Sequence, residues 1–198
     1  MNASKLFGFL LTLVLIGSAF TEPATKATYK ANTSKSKILW KGYKVTGSHE
    51  GTLNLKNGEL TYTDGQLSGG SFDIDMTTLN CTDLDGGGKT KLEGHLKSPD
   101  FFDVANHPSA SFVITKVVSR GTPGDYKIVG NLTIKETTKE IKFLTKISDD
   151  GNGKTAEATT TIDRSDFNVR YGSGSFFDNL GDRTIYDDFD LTINLVLE

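Results

Sequence analysis

Hydrophobic and polar residues alternate with a period of two along most of this chain. The clearest case lies in one short run, where Phe72, Ile74 and Met76 occupy one face of an extended strand. Asp73 and Asp75 occupy the other face. One face of this strand must therefore be dry and the other wet, because a shift of one residue would turn every side chain to the opposite side.

Similar runs recur between turn signals and give about nine strand candidates. Asn57-Gly58 favours a tight hairpin turn between two of them, and Asp64-Gly65 favours a second. The predicted strands cover 37–45, 52–56, 59–63, 66–76, 110–118, 126–134, 139–148, 154–163 and 185–197. Many short strands with short turns predict an all-β antiparallel sandwich or barrel, and a barrel is favoured because it leaves no edge to protect. The segment 47–51 interrupts the alternation, as a bulge or sharp bend would.

One segment departs from the period of two. Leu92 and Leu96 stand four residues apart, which places them on one face of a helical turn. Ser98-Pro99 can end that turn and begin another, which carries Phe101 and Phe102. The pattern predicts one short helical insertion around 89–104, laid over or into the closed sheet.

The chain divides into three parts. Residues 1–20 have the pattern of a cleaved signal peptide, with Lys5 before an apolar run that is too short to span a bilayer comfortably. Ser18 stands where a lipoprotein would carry its lipidated cysteine, so no lipid anchor is expected. Residues 21–34 are polar and unpatterned and predict a flexible leader. Residues 35–198 are predicted to form the barrel domain, in a periplasmic or secreted protein without stable membrane insertion.

The net charge and the cysteine content limit the kinds of partner that this protein is expected to bind. A formal net charge of −3 gives no reason to expect nucleic acid as a partner. Cys81 is the single cysteine of the sequence, so it has no intramolecular disulfide partner. A partly buried small residue is the favoured interpretation of Cys81 over a reactive thiol or an intermolecular bridge. The sequence leaves a homodimer open.

Motifs for catalysis and metal binding are incomplete. His49-Glu50 is followed by Gly-Thr-Leu and so lacks the second histidine of the zinc-protease helix motif. The glycines and serines of 172–175 have the wrong order for a nucleophile elbow. The loops 83–88 and 149–153 resemble parts of calcium loops but lack the distant bidentate glutamate. We therefore expect no catalytic residue, no metal and no cofactor.

An ordered set of short motifs covers the chain from about residue 35 to the end. The motifs are 47–51 (GSHEG), 72–76 (FDIDM), 94–103 (GHLKSPDFFD), 112–115 (FVIT), 130–134 (GNLTI), 164–167 (RSDF) and 171–178 (YGSGSFFD). Together they resemble the YceI-like family. The resemblance implies an exported, lipocalin-like antiparallel β-barrel of about eight strands, whose apolar interior holds a long isoprenoid or other lipid. The chain departs from the family pattern at Glu136, where glycine is usual.

The candidate ligand-binding residues are the inward apolar positions and the aromatic turns. They are Trp40, Phe72, Ile74, Met76, Leu96, Phe101, Phe102, Phe112, Ile114, Phe143, Phe167, Phe176 and Phe177. His49, His95 and Arg164 are candidates for contact with a ligand head group, and a purely structural role is the alternative for His95.

Three functions remain open from the residues. The first is non-enzymatic binding, transport or storage of a long-chain isoprenoid or fatty lipid in an apolar tunnel. The second is a secreted hydrolase or isomerase that acts on a lipid-like substrate in the same pocket. The third is a structural module whose core is filled by its own side chains, which an eight-stranded barrel also permits.

Overall fold

The computed structural model describes residues 23–151 and 153–198, so the predicted signal peptide, 1–20, lies outside the described residues. The described part contains nine strands, one α-helix and two 3₁₀ turns, at Arg164–Phe167 and Gly181–Arg183. The elements are β1 Lys26–Lys30, β2 Lys37–Lys44, β3 Gly47–Thr63, β4 Gln66–Cys81, α1 Gly86–Lys97, β5 Ser109–Ser119, β6 Asp125–Ile134, β7 Thr137–Asp149, β8 Lys154–Asp163 and β9 Ile185–Leu197.

Strands β2 to β9 form a closed antiparallel barrel of eight strands. The order around the barrel is β3, β2, β9, β8, β7, β6, β5 and β4, and pairing of β3 with β4 closes it. Every neighbouring pair is antiparallel. The all-β barrel predicted from the period-two pattern is confirmed.

The segment predicted to be a flexible leader contains a strand, β1. Lys26–Lys30 pairs with the second half of β3, while β2 pairs with its first half. After β1 the chain remains hydrogen-bonded to β3, because the Ala31 amide donates to the Gly58 carbonyl oxygen at 2.8 Å. These backbone bonds join residues far apart in sequence. A polar, unpatterned segment such as 23–34 can therefore contain an ordered strand whose pairing its own composition does not indicate.

The hairpin predicted at Asn57-Gly58 is wrong, since β3 runs without a break through both residues. A side chain at Gly58 would meet the ring of Phe72, with its Cβ 2.2 Å from Cδ1. Gly58 is thus required by packing and not by a turn.

The bend predicted at 47–51 is also absent, because this segment pairs with β2 after a short turn that precedes Gly47. The turn at Asp64-Gly65 is confirmed, with φ values of 50° and 75°.

The predicted helical insertion is confirmed, with different ends. Helix α1 begins at Gly86 and ends at Lys97, where Ser98 Oγ donates to the His95 carbonyl oxygen at 2.8 Å. Residues 98–104 form turns that return the chain to β5. Leu92 and Leu96 of the helix pack against the core. Within residues 23–151 and 153–198, no helix is long and apolar enough to cross a membrane.

The connections define two ends of the barrel. Helix α1, the β6–β7 turn and the β8–β9 connection lie at one end, here called the helix end. The β3–β4, β5–β6 and β7–β8 turns lie at the opposite end, together with β1. At that opposite end the Lys154 ammonium lies over the rings of Tyr29 and Tyr62, at 4.7 and 5.2 Å from their centroids. Burial raises the pKa of Tyr62 to about 12.

Candidate functional site

An apolar cavity of about 190 Å³ lies inside the barrel. Inward-facing side chains from all eight barrel strands form its wall, and Leu96 and Phe102 contribute to it from the helix end. Thr145 and Thr160 are the polar residues of the wall among the described residues, and no charged side chain belongs to it. The site can therefore hold a hydrocarbon chain without taking a fixed charge out of water.

Nine of the candidate ligand-binding residues line this cavity. They are Trp40, Phe72, Ile74, Met76, Leu96, Phe102, Phe112, Ile114 and Phe143. They come together because alternate residues of each strand point inward once the sheet closes. The pairing of Phe72 with Phe112, and the 5.5 Å between the ring centroids of Phe112 and Phe143, place aromatic side chains on three strands of the wall.

Many wall residues that the sequence analysis did not single out are aliphatic. Strand β9 shows this best, because its aliphatic residues Leu191, Ile193 and Leu195 line the cavity together with Phe189. The signal for them was the same period-two alternation, within a strand whose bounds were predicted correctly. The predicted ligand-binding residues are mainly aromatic residues of other segments, although a branched aliphatic side chain fills a barrel wall equally well.

Four of the aromatic candidates lie elsewhere. Phe101 and Phe167 are buried in the core but do not belong to the cavity wall. Phe176 and Phe177, in the β8–β9 connection, are 39% and 50% exposed, so the structure does not place them over the cavity as lining residues. The guanidinium of Arg170 lies 4.7 Å from the ring centroid of Phe176.

Arg164 is held by the protein itself. Its side chain is almost fully buried and donates to three backbone carbonyl oxygens, those of Tyr186, Val169 and Ile185, at 3.1, 2.7 and 2.8 Å. Its Nη2 also lies 3.1 Å from Oδ1 of Asp187. Burial lowers the pKa of Arg164, and the Asp187 carboxylate opposes that shift. These contacts engage the guanidinium inside the β8–β9 connection and do not direct it to the cavity.

His95 and Arg164 meet at a shared aromatic ring. The His95 ring centroid lies 5.7 Å from that of Phe101, and the Arg164 guanidinium lies 5.2 Å from the same centroid. Tyr171 packs edge-on against His95 at 4.3 Å. Nε2 of His95 is buried and has no hydrogen-bond partner among the described residues. The two candidates therefore belong to one cluster beneath the β8–β9 connection, outside the cavity wall.

His49 belongs to a different cluster, which lies at the helix end of the barrel next to the start of β3 and is not part of the cavity wall. Its Nδ1 lies 2.8 Å from Oδ2 of Asp83, and Oδ1 of Asp83 accepts from the Glu50 amide at 3.0 Å and from the Cys81 thiol at 3.1 Å. Burial would raise the pKa of the Asp83 carboxyl, but these hydrogen bonds outweigh it and hold that pKa below its usual range. The cluster fastens the start of β3 to the loop that precedes α1.

Cys81 is completely buried beside this cluster. Burial raises the pKa of its thiol, and the hydrogen bond to Asp83 acts in the same direction. Across residues 23–151 and 153–198, no three His, Cys, Asp or Glu side chains gather in a way that could hold a metal ion.

In two places of the barrel wall, the backbone pairing between neighbouring strands covers only part of their length. The ladder between β7 and β8 stops at Leu144 and Thr159, so 137–143 and 160–163 have no backbone pairing with each other. The ladder between β4 and β5 spans only 71–75 and 109–113. Wall residues beside these openings, Phe143 and Thr160 at the first and Ile114 at the second, are half-buried. These are the places where the cavity wall is least continuous.

Comparison with known proteins agrees with this architecture. The model of the YceI-like domain family matches residues 29–197, which is nearly the whole described chain. A UPF0312 protein of Pectobacterium carotovorum is 34% identical over 125 residues, which are 60% of this chain and 62% of that protein. The chain thus matches about three-fifths of the length of this curated relative.

Two solved structures share the fold. Burkholderia cenocepacia BcnA superposes with a TM-score of 0.69 at 21% identity, over 84% of this chain and 98% of that chain. A polyisoprenoid-binding domain from Saccharophagus degradans, implicated in plant cell wall breakdown, superposes with a TM-score of 0.61 at 13% identity. That match covers 86% of this chain and 97% of the domain. At these identities the likeness establishes the fold alone.

Proposed function

Because the chain belongs to the YceI-like domain family, we propose that its barrel binds one long apolar chain, an isoprenoid or another lipid, and catalyses no reaction on it. The observation that carries the proposal is the cavity wall, which is formed by apolar side chains and two threonines and contains no charged group among the described residues. Such a wall suits a slender hydrocarbon and disfavours a charged or strongly hydrated ligand.

Burial of a hydrocarbon chain would supply the affinity. Each buried methylene contributes about 0.8 kcal/mol, so ten of them contribute about 8 kcal/mol before the cost of ordering the chain. No charged partner is needed for such an interaction. The polyisoprenoid ligand of the Saccharophagus degradans domain, which has the same barrel, supports an isoprenoid as the ligand class.

The alternative hydrolase or isomerase would need acid–base groups that reach a bound chain. Two of the candidates are engaged elsewhere in the described structure, since Arg164 is bonded to backbone carbonyl oxygens and His49 to Asp83. The third, His95, does not belong to the cavity wall. This engagement supports carriage or storage over catalysis. The signal-peptide pattern of residues 1–20 extends the proposal to a periplasmic or secreted carrier.

A pair of adjacent substitutions tests the binding site. Ile114 lines the cavity, whereas its neighbour Val113 is 48% exposed on the outside of the same strand. Ile114→Arg places an unpaired charge in the apolar wall and is expected to reduce uptake of a fluorescent isoprenoid more than tenfold. Val113→Arg carries the same charge outward and is expected to bind like the wild type. Fluorescence titration measures both.

Circular dichroism establishes that each variant retains its strands. Equal uptake by Ile114→Arg, Val113→Arg and the wild type would mean that the lipid binds outside the cavity, and would overturn the proposal. A second lining substitution, Ile74→Arg on β4, repeats the test from another strand if Ile114→Arg does not fold.

A further inference from the structure

Exposed aromatic side chains gather in and beside the β8–β9 connection. Within residues 23–151 and 153–198, nine large hydrophobic residues are exposed, and the four aromatic ones all belong to this connection or to the start of β9. They are called here the aromatic patch and are Tyr171, Phe176, Phe177 and Tyr186, with 48%, 39%, 50% and 50% of their surface exposed. The other five are spread over β2, β5, β7 and the turn before β3. Single exposed apolar residues are normal, whereas a group of them marks a contact site.

The backbone holds the aromatic patch in a defined turn. The amides of Phe176 and Phe177 both donate to the Ser173 carbonyl oxygen, at 3.2 and 3.0 Å. Ser173 is fully buried, and its Oγ accepts from the Ser175 amide at 3.1 Å. The Ser175 hydroxyl in turn donates to Oδ2 of Asp187 at 2.6 Å, which ties the turn to the start of β9. Because the turn is already ordered, a partner that covers these rings loses little affinity to ordering them.

The aromatic patch adjoins the helix end of the cavity. Phe102 lines the cavity, and its ring centroid lies 5.0 Å from that of Phe101. Phe101 in turn packs against His95, and His95 packs against Tyr171. A row of ring contacts thus leads from the cavity wall to an exposed ring of the patch. A surface that covers the patch is therefore brought next to the helix end of the cavity.

The charges beside the aromatic patch balance. Segment 168–184 carries two exposed arginines, Arg170 and Arg183, and two exposed aspartates, Asp178 and Asp182. The guanidinium of Arg170 lies over one ring of the patch, that of Phe176. Aromatic rings with arginine beside them suit the boundary between hydrocarbon and water, where each side chain places its apolar part inward and its polar tip outward. A segment without net charge matches a zwitterionic bilayer, whereas anionic lipid is recognised by a cluster of basic residues.

We propose that the aromatic patch docks reversibly on the surface of a zwitterionic lipid bilayer and that the barrel exchanges its ligand there. Docking goes beyond the proposed function, and only the exchange step rests on it. A long isoprenoid is nearly insoluble in water, so a protein that carries one must take it from a membrane or deliver it to one. The two phenylalanine rings enter the interfacial layer, and the tyrosine hydroxyls and the arginines stay among the head groups.

Cosedimentation with sucrose-loaded vesicles of palmitoyl-oleoyl phosphatidylcholine measures the docking. The double variant Phe176→Ser/Phe177→Ser removes both rings of the turn and is expected to lower the partition coefficient by about tenfold or more. The matched control is Val113→Ser/Leu144→Ser, which removes two side chains that are 48% and 51% exposed on the outside of β5 and β7. The control is expected to bind the vesicles like the wild type. Circular dichroism establishes that both variants keep their strands.

Transfer of a fluorescent isoprenoid from the protein to the same vesicles measures the exchange. For the wild type and the control, the rate is expected to rise with vesicle concentration, because transfer occurs in the docked complex. The Phe176→Ser/Phe177→Ser variant is expected to transfer the lipid about tenfold more slowly. Its uptake of the lipid from cyclodextrin is expected to be unchanged, because neither residue belongs to the cavity wall.

The outcomes separate docking from the proposed function. Vesicle binding by a protein that takes up no isoprenoid would refute the proposed function and leave the docking surface. Isoprenoid uptake by a wild type that does not cosediment with vesicles would refute docking and leave the binding function. Equal cosedimentation of the wild type and the Phe176→Ser/Phe177→Ser variant would also refute docking through the patch. If the double variant does not fold, Phe177→Ser alone makes this comparison.

Two further results would assign the aromatic patch to another partner. Cosedimentation that requires added phosphatidylglycerol would show that charge and not the aromatic rings drives binding, which contradicts the proposal. Sedimentation velocity tests a second copy of this chain as the partner. A concentration-dependent dimer of the wild type that the Phe176→Ser/Phe177→Ser variant does not form, without vesicle binding by either, would overturn the proposal in favour of a dimer interface.

Discussion

At the scale of single residues, the polar side chains of this protein mostly secure its own backbone. Arg164 is the clearest example, because its buried guanidinium donates hydrogen bonds to three carbonyl oxygens of the β8–β9 connection and the start of β9. These bonds take the place of those that it would form with water. The sequence singles out Arg164 as a charged residue in a glycine-rich segment. Its role cannot be derived from the sequence, because two of its partners, Tyr186 and Ile185, lie 22 and 21 residues away and are brought near only by the fold.

Replacement of Arg164 tests this structural role. Arg164→Met is expected to lower the free energy of unfolding by about 3–5 kcal/mol, because it leaves buried carbonyl groups and the Asp187 carboxylate without their partner. Urea denaturation followed by circular dichroism measures the change. The control is Arg183→Met, an exposed arginine of the same connection, with an expected change below about 0.5 kcal/mol. Similar stability of the two variants would show that the buried bonds contribute little.

At the scale of secondary-structure elements, the sequence predicts most strands because alternation is a local property. Strand β8 was predicted with its observed bounds, as was β9. Two predictions failed where pairing across the sheet decides the structure. Lys26–Lys30 becomes a strand only by pairing with β3, and Asn57-Gly58 stays extended because β4 continues alongside it. A local turn signal gives way when both of its flanks already belong to a ladder.

The turn between β6 and β7 contains two residues whose left-handed backbone conformation is unfavourable for residues with side chains. Lys135 and Glu136 have φ values of 49° and 65°, a left-handed conformation that side chains disfavour. Lys135 is also tied down, since its Nζ donates to the Phe101 carbonyl oxygen at 3.0 Å. Glu136 is exposed, and its side chain forms no hydrogen bond or ion pair with the described residues that would oppose its replacement by glycine.

Glu136→Gly is therefore expected to stabilise the protein by about 1 kcal/mol, because glycine removes the left-handed penalty of the turn. Thermal and urea unfolding measure the gain. Glu140→Gly, four residues later in the extended part of β7, serves as the control and is expected to lose about 0.5–1 kcal/mol. A loss of stability in both variants would mean that Glu136 contributes more through its side chain than its backbone conformation costs.

At the scale of the whole molecule, closure of the sheet creates the property on which function depends. Alternation on β4, β5 and β7 indicates the apolar faces that become the wall. It cannot indicate whether these faces meet in a filled core or around a cavity, because an eight-stranded barrel permits both. Phe176 and Phe177 illustrate the same limit, since two adjacent aromatic residues in a glycine-rich segment lie on the surface although the sequence favoured the cavity. The cavity itself, about 190 Å³ of apolar space, became visible only in the folded chain.

Native mass spectrometry of the protein purified without detergent tests the central claim most directly. The predicted spectrum contains a species with the mass of the protein plus one lipid molecule, and collisional activation releases that lipid for identification. Incubation with geranylgeraniol is expected to convert any unliganded protein into a one-to-one complex. A spectrum that contains the unliganded mass alone, both before and after this incubation, would contradict the claim that the barrel of this protein holds a single long apolar chain.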